Sequence, residues 1–150
     1  MELILWRHAE AEDGTPDLER ALTSKGHKQA EKMAAWLKQR MPAHTHVLVS
    51  PAKRTQQTAA ALGTNFTTLD VLAPGADPED VLEAAGWPED TDSVLIVGHQ
   101  PTLGGVAAIA LANLDDAWII KKGGIWWIST RMRDGEIEST LRAAITPDLL

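Results

Sequence analysis

Cysteine is absent from the chain. Disulfides and thiolate metal sites are thereby excluded, and the cytoplasm is the expected setting. Long apolar runs are missing too. Met1-Glu2 is not a basic leader, and the run Leu3–Trp6 is far shorter than the roughly 20 residues of a membrane span. No membrane partner is expected. Positive charge is scarce: 14 Lys and Arg stand against 21 Asp and Glu, a net −7. A general nucleic-acid binder needs cations to displace phosphate counterions, so that class is set aside, although a locally basic pocket on an acidic body is not.

What is present suits one domain over residues 1–150, with 44% apolar and 23% charged residues and no repeat, linker or low-complexity segment. A monomer is the expected state. Leu3–Trp6 reads as a buried strand that ends on Arg7-His8. Glu10 to Arg20, rich in Glu, Asp, Gly and Pro, reads as an exposed loop. Thr23 is the expected N-cap of a helix running to about Arg40. Ala30, Met33, Ala34 and Leu37 form its buried stripe, and Lys25, Lys28, Lys32 and Lys38 its solvated side. His44 and His46 have no partner cluster and fit a surface loop better than a metal site.

Val47–Val49 is a second short strand, followed by Ser50-Pro51 and Arg54. Ser50 is expected to cap a helix and Pro51 to open it, with Arg54 one turn in and Gly63 as the stop. The N–H groups free at such a helix start favour an anion. Phe66–Leu72 is a weaker strand candidate, and Asp77-Pro78-Glu79-Asp80 a strong helix start that ends at Gly86. Ser93–Val97 is apolar throughout and so expected to be central in a sheet. It opens into Gly98-His99-Gln100-Pro101, and Thr102 is the expected cap of the mostly apolar helix that follows. Ile125–Thr130 and Ile137–Ala143 read as an antiparallel pair turned by Asp134-Gly135. Trp118, Trp126 and Trp127 are assigned to packing, and Lys121-Lys122-Gly123-Gly124 to a basic turn.

Alternating strands and helices imply an α/β fold: a mostly parallel central sheet, helices on both faces, and an antiparallel edge. Right-handed crossovers bring the ends of the three apolar strands together, where open α/β sheets bind ligands. Arg7, His8, Arg54 and His99 would converge there, with Arg20 reaching in from its loop. Such a cationic cluster repels itself unless it binds an anion, and arginines grip phosphate through paired charge-assisted bonds. A phosphoryl group is the expected occupant.

Arg7-His8-Ala9 after a first strand, Ser50-Pro51 with Arg54 and Thr58, and Gly98-His99 after a central strand resemble the histidine phosphatase superfamily. Arg20-Ala21-Leu22-Thr23 with Gly26, and the small size, are similar to its SixA branch of phosphohistidine phosphatases. The resemblance runs from residue 2 to about residue 105 and implies a phosphoglycerate mutase-like three-layer sandwich. It also implies that His8 attacks phosphorus and carries a phosphohistidine intermediate that water hydrolyses. Arg7 and Arg54, with Arg20 and a protonated His99, would then hold the phosphoryl oxygens. A fixed cationic cage can stand in for metal ions, so no metal or cofactor is expected. Gln100 stands where many members place a carboxylic acid, and Glu10, Glu12 and Asp13 are expected to be solvated. A phosphoramidate depends least on such an acid, because its leaving nitrogen can be protonated. The expected substrate is therefore phosphohistidine in a protein. Small phosphomonoesters are the alternative, and a phosphate-recognition domain without turnover the alternative of another class.

Overall fold

The computed structural model describes residues 1–89 and 92–150. Its first strand, β1 (Glu2–Arg7), is hidden at Leu3, Ile4, Leu5 and Trp6 and emerges only at its ends. A continuous apolar run of this kind is stable only when covered on both faces. Helix α1 (Ser24–Lys38) begins where expected, with the Thr23 side chain accepting from the Gly26 amide. Its buried residues include the expected Ala30, Met33, Ala34 and Leu37, and it ends two residues short of Arg40. Strand β2 (His46–Val49), helix α2 (Lys53–Ala60), the two-residue strand β3 (Thr67–Thr68) and helix α3 (Pro78–Ala84) follow. Strand β4 (Ser93–Gly98) is buried at every residue. Helix α4 (Thr102–Ala112) and the hairpin of β5 (Ile125–Arg133) and β6 (Glu136–Ile145) complete the chain.

The six strands form one sheet in the order β3-β2-β4-β1-β5-β6. The first four are parallel, and β5 and β6 add the expected antiparallel edge. Side chains alternate across β1 and β4 and so feed two cores. Ile4, Trp6, Leu95 and Val97 pack with Met33 and Leu37 of α1 and Ala59 of α2. Leu3, Leu5, Val94 and Ile96 face Val81 and Leu82 of α3 and Val106 and Ala107 of α4. The result is the three-layer sandwich that the sequence implied. Asp134 and Gly135 both take positive φ (53° and 80°), the pair of values a type I′ hairpin turn requires.

Three local expectations are corrected. The Phe66–Leu72 strand is only Thr67–Thr68, followed by a 3₁₀ turn at Asp70–Leu72, because an edge strand has one neighbour and little to bury. The helix after β2 starts two residues beyond Pro51, at Lys53, with Ala52 at the cap. Ser50 is not the cap because its hydroxyl is shared with a histidine described below. Thr102 does not cap α4: its hydroxyl donates to the Ala76 carbonyl at 2.6 Å, and Pro101 occupies the cap position. The tryptophans pack as expected, Trp118 against Trp126 at 5.9 Å and Trp127 edge-on to Trp36.

Candidate active site

The carboxyl ends of β1, β2 and β4 lie side by side, and Arg7 pairs in register with Gly98. The chain leaves β1 through a segment fixed on three sides. The His8 amide donates to the Gly98 carbonyl at 3.1 Å, and the His8 carbonyl accepts from the Gly123 amide at 2.9 Å. The Ala9 amide donates to Thr58 Oγ1 at 3.1 Å, and that hydroxyl donates onward to the Arg54 carbonyl at 2.7 Å. The loop beyond is pressed on α1, where a Cβ added to Gly26 would lie 2.0 Å from the Glu10 carbonyl oxygen. Only glycine fits there.

Four of the five expected residues meet on this frame. The rings of His8 and His99 are 5.4 Å apart and tilted by 52°. His8 Nδ1 lies 2.7 Å from the Ala9 carbonyl oxygen. A carbonyl can only accept, so Nδ1 carries the proton and the lone pair of neutral His8 sits on Nε2. Burial, and then the charges of Arg54, Arg7 and Arg20, push the His8 pKa down to about 4 against the opposing pull of the Ala9 bond. At neutral pH this imidazole is uncharged.

His99 is uncharged as well in the ligand-free site. Burial, then Arg54 and His8, push its pKa down to about 3, with only Asp17 pulling the other way to any extent. Its Nε2 shares a 2.7 Å hydrogen bond with Ser50 Oγ, the contact that diverts Ser50 from capping α2. Its Nδ1 is buried without a protein partner.

Arg7 Nη1 donates to the Ile120 carbonyl at 2.9 Å, and Arg54 is 3% exposed on the first turn of α2. The Nε of each is buried and unpartnered. Two guanidinium groups and an imidazole thus each keep a polar atom that nothing among the described residues satisfies. Such an arrangement is costly unless an anion completes it.

Arg20 lies at the rim rather than in the cluster. Its Nε pairs with Asp17 Oδ1 at 3.0 Å and its Nη1 donates to the Glu12 carbonyl. Asp17 was not anticipated. It sits in a short 3₁₀ turn (Asp17–Glu19) inside the segment expected to be an exposed loop. Its other oxygen accepts from Arg54 Nη2 at 3.1 Å, and its backbone carbonyl accepts from Arg54 Nη1 at 2.9 Å. One carboxylate therefore bridges two arginines, and their bonds hold its pKa below the usual range. No local pattern announces this contact, which spans 37 positions. Glu10 is tied up by the Thr23 hydroxyl at 2.8 Å, and Glu12 and Asp13 are exposed. Gln100 supplies no acid: its amide braces the start of α4 through Gly104 and reaches the Trp118 carbonyl. His46 pairs with Asp92 on the surface, and no group of three or more metal-ligating side chains exists among the described residues.

Residues 3–73 match the model of the histidine phosphatase superfamily, branch 1. The phosphohistidine phosphatase SixA of Escherichia coli K12 is 33% identical over 118 residues, covering 72% of this chain and 73% of its own. The chain belongs to the histidine phosphatase superfamily. Within it, the kinship lies with the SixA-type branch. A solved structure of the protein histidine phosphatase SixA complexed with tungstate superposes with a TM-score of 0.84 at 26% identity, covering 99% of both chains. An uncharacterized protein of Picosynechococcus is 35% identical over 136 residues, 83% of this chain and 82% of its own. This histidine phosphatase is therefore a phosphatase hydrolase acting on a phosphorylated substrate.

Proposed function

We propose that the chain works as a single catalytic domain that removes the phosphoryl group from phosphohistidine in a protein, with His8 as nucleophile. The observation that carries the reading is the neutral His8 ring, its Nδ1–H fixed on Ala9, set beside two arginines whose Nε atoms are buried and unpartnered. Nucleophilic attack needs an imidazole that is uncharged at the attacking atom and oriented at the other. In the first step His8 Nε2 bonds to phosphorus as the P–N bond to the substrate ring breaks, and the departing ring nitrogen keeps the bonding pair and takes up a proton. Water then attacks phosphorus, the P–Nε2 bond breaks, and inorganic phosphate leaves with His8 restored.

Arg7 and Arg54 hold the equatorial oxygens, where negative charge spreads in the transition state. Arg20 serves from the rim. His99 donates from a protonated Nδ1 when the Ser50 hydroxyl donates its hydrogen bond to Nε2, the tautomer a phosphoryl oxygen selects. The dianion also draws the ring pKa upward, so that a proton gained on binding strengthens the contact. Asp17 is held ionised by its arginines and is a poor acid. Its state supports a substrate whose leaving nitrogen is readily protonated over an alkyl phosphate. The name of the Escherichia coli relative supports the same choice.

The test is brief incubation with a labelled phosphodonor followed by acid or alkali quench. Label on His8, lost in acid and stable in alkali, is expected, and His8→Ala should remain unlabelled while still binding vanadate. Undiminished turnover by His8→Ala would overturn the mechanism. Faster turnover of sugar or aryl phosphates than of a phosphohistidine protein would overturn the substrate.

A further inference from the structure

Five of the seven lysines, Lys25, Lys28, Lys32, Lys121 and Lys122, line one open groove together with Arg7. The groove measures about 580 Å³. The first three stand on the exposed side of α1 at intervals of three and four, which aligns them along one face. The other two come from the turn that clamps β1, more than 80 residues later in the chain. None of the five forms an ion pair among the described residues, although the chain carries 21 carboxylates. The single carboxylate in the lining is Asp148, which feels Lys121. Lys32 Nζ donates only to the Leu150 carbonyl, at 3.4 Å, so a protein of net charge −7 has gathered positive charge in a groove that shares Arg7 with its candidate phosphate site.

We propose that this groove docks an acidic segment of the protein that carries the phosphohistidine, an inference that rests on the function proposed above. Three features favour a polypeptide over a small polyphosphate. The cations are spread along a helix face and a turn instead of converging on a point. They are lysines, flexible point charges suited to dispersed carboxylates, and not the planar forks that grip a phosphate chain. At the rim, Ile119 is 78% exposed, offering an apolar contact beside the charges. Continuity through Arg7 lets a segment seated here place an adjoining histidine at His8. Charge matching of this kind sets encounter rate and partner choice more than raw affinity.

The probes are two fluorescein-labelled peptides around one histidine, one flanked by Asp and Glu and the other by Asn and Gln at the same positions. By anisotropy at low salt, the wild type should bind the unphosphorylated acidic peptide at least about tenfold more tightly than the neutral one. The preference should shrink as salt rises and vanish in Lys28→Glu/Lys32→Glu/Lys122→Glu, all exposed positions. Lys38→Glu/Arg133→Glu, outside the groove, should keep it. With both peptides phosphorylated on histidine, the same pattern should appear in kcat/KM, while free phosphohistidine is turned over equally by wild type and triple variant. Equal binding of the two peptides, or a preference that survives the triple variant, would overturn the proposal. So would tripolyphosphate binding tighter than the acidic peptide, which would reassign the groove to small polyanions. If neither the phosphorylated peptides nor free phosphohistidine is hydrolysed at all, the proposed function fails, and the anisotropy alone decides the groove.

Discussion

Two arginine–carboxylate pairs in this histidine phosphatase have similar lengths and opposite meanings. On the hairpin, Arg131 Nε meets Glu138 at 2.8 Å with the arginine side chain 69% exposed. At the site, Arg54 meets Asp17 at 3.1 Å with the arginine side chain 4% exposed. The first is a solvated contact between neighbouring strands, in the class of pairs worth about 0–1 kcal/mol. The second removes a guanidinium from water while leaving its Nε unsatisfied, which lowers stability unless something else is gained. The difference separates charges that decorate a surface from charges held in wait for a ligand.

The sharpest way to break the comparison is to delete both arginines in turn. Arg54→Ala should reduce kcat/KM by about 10²–10³, as expected for one lost transition-state donor, and Arg54→Lys should recover little because the fork is gone. Arg131→Ala should leave steady-state kinetics unchanged and alter stability by less than about 0.5 kcal/mol. Equal effects would remove the distinction.

Acidification tests the same region next. His8, depressed to about 4 in the folded protein, stays a competent nucleophile at pH 5, and NMR titration of its ring should give a midpoint near 4. The folded pKa lies below the ordinary 6.5, so the unfolded chain binds more protons between these values. The contribution to stability is therefore full above pH 6.5 and erodes as pH falls toward 4. A ring midpoint near 6.5 would contradict the burial and the crowding of arginines described here.

A smaller effect is expected at Thr58, whose hydroxyl joins the nucleophile's loop to α2. Thr58→Val keeps the shape but leaves the buried Ala9 amide unpaired, which should cost about 1–3 kcal/mol in denaturant unfolding. Smallest of all, Asp17→Asn should tighten inhibition by inorganic phosphate several-fold, because Asp17 competes with phosphate for Arg54 and Arg20. Weaker inhibition would mean that Asp17 chiefly positions Arg54.

What the sequence disclosed follows the same divide. The runs Leu3–Trp6 and Val94–Val97, the Thr23 cap and the Asp134-Gly135 turn are local signals, and each became the element it announced. The ends of the apolar strands placed Arg7, His8, Arg54 and His99 together because topology alone dictates where parallel strands finish. Hydroxyl partners were not legible. Ser50 and Thr102 precede helices and look like caps, yet each finds a partner far along the chain that propensity does not encode. Asp17 and the lysine groove were hidden for the same reason. Lys25, Lys28 and Lys32 mark a solvated helix face correctly, but nothing in them foretells that Lys121 and Lys122 will arrive opposite.

The turn at Gly123-Gly124 touches the end of β1 twice and the residue after it once: Trp6 Nε1 donates to the Gly123 carbonyl, the Arg7 amide to the Gly124 carbonyl, and the Gly123 amide to the His8 carbonyl. The imidazole at position 8 thus leans on backbone contributed from near the opposite terminus. The stretch that carries the family signature, residues 3–73, accordingly holds the reactive groups without the buttress that aims them. Changes in the sequence of that distant turn can be felt as changes in the reach and pitch of a ring they never contact.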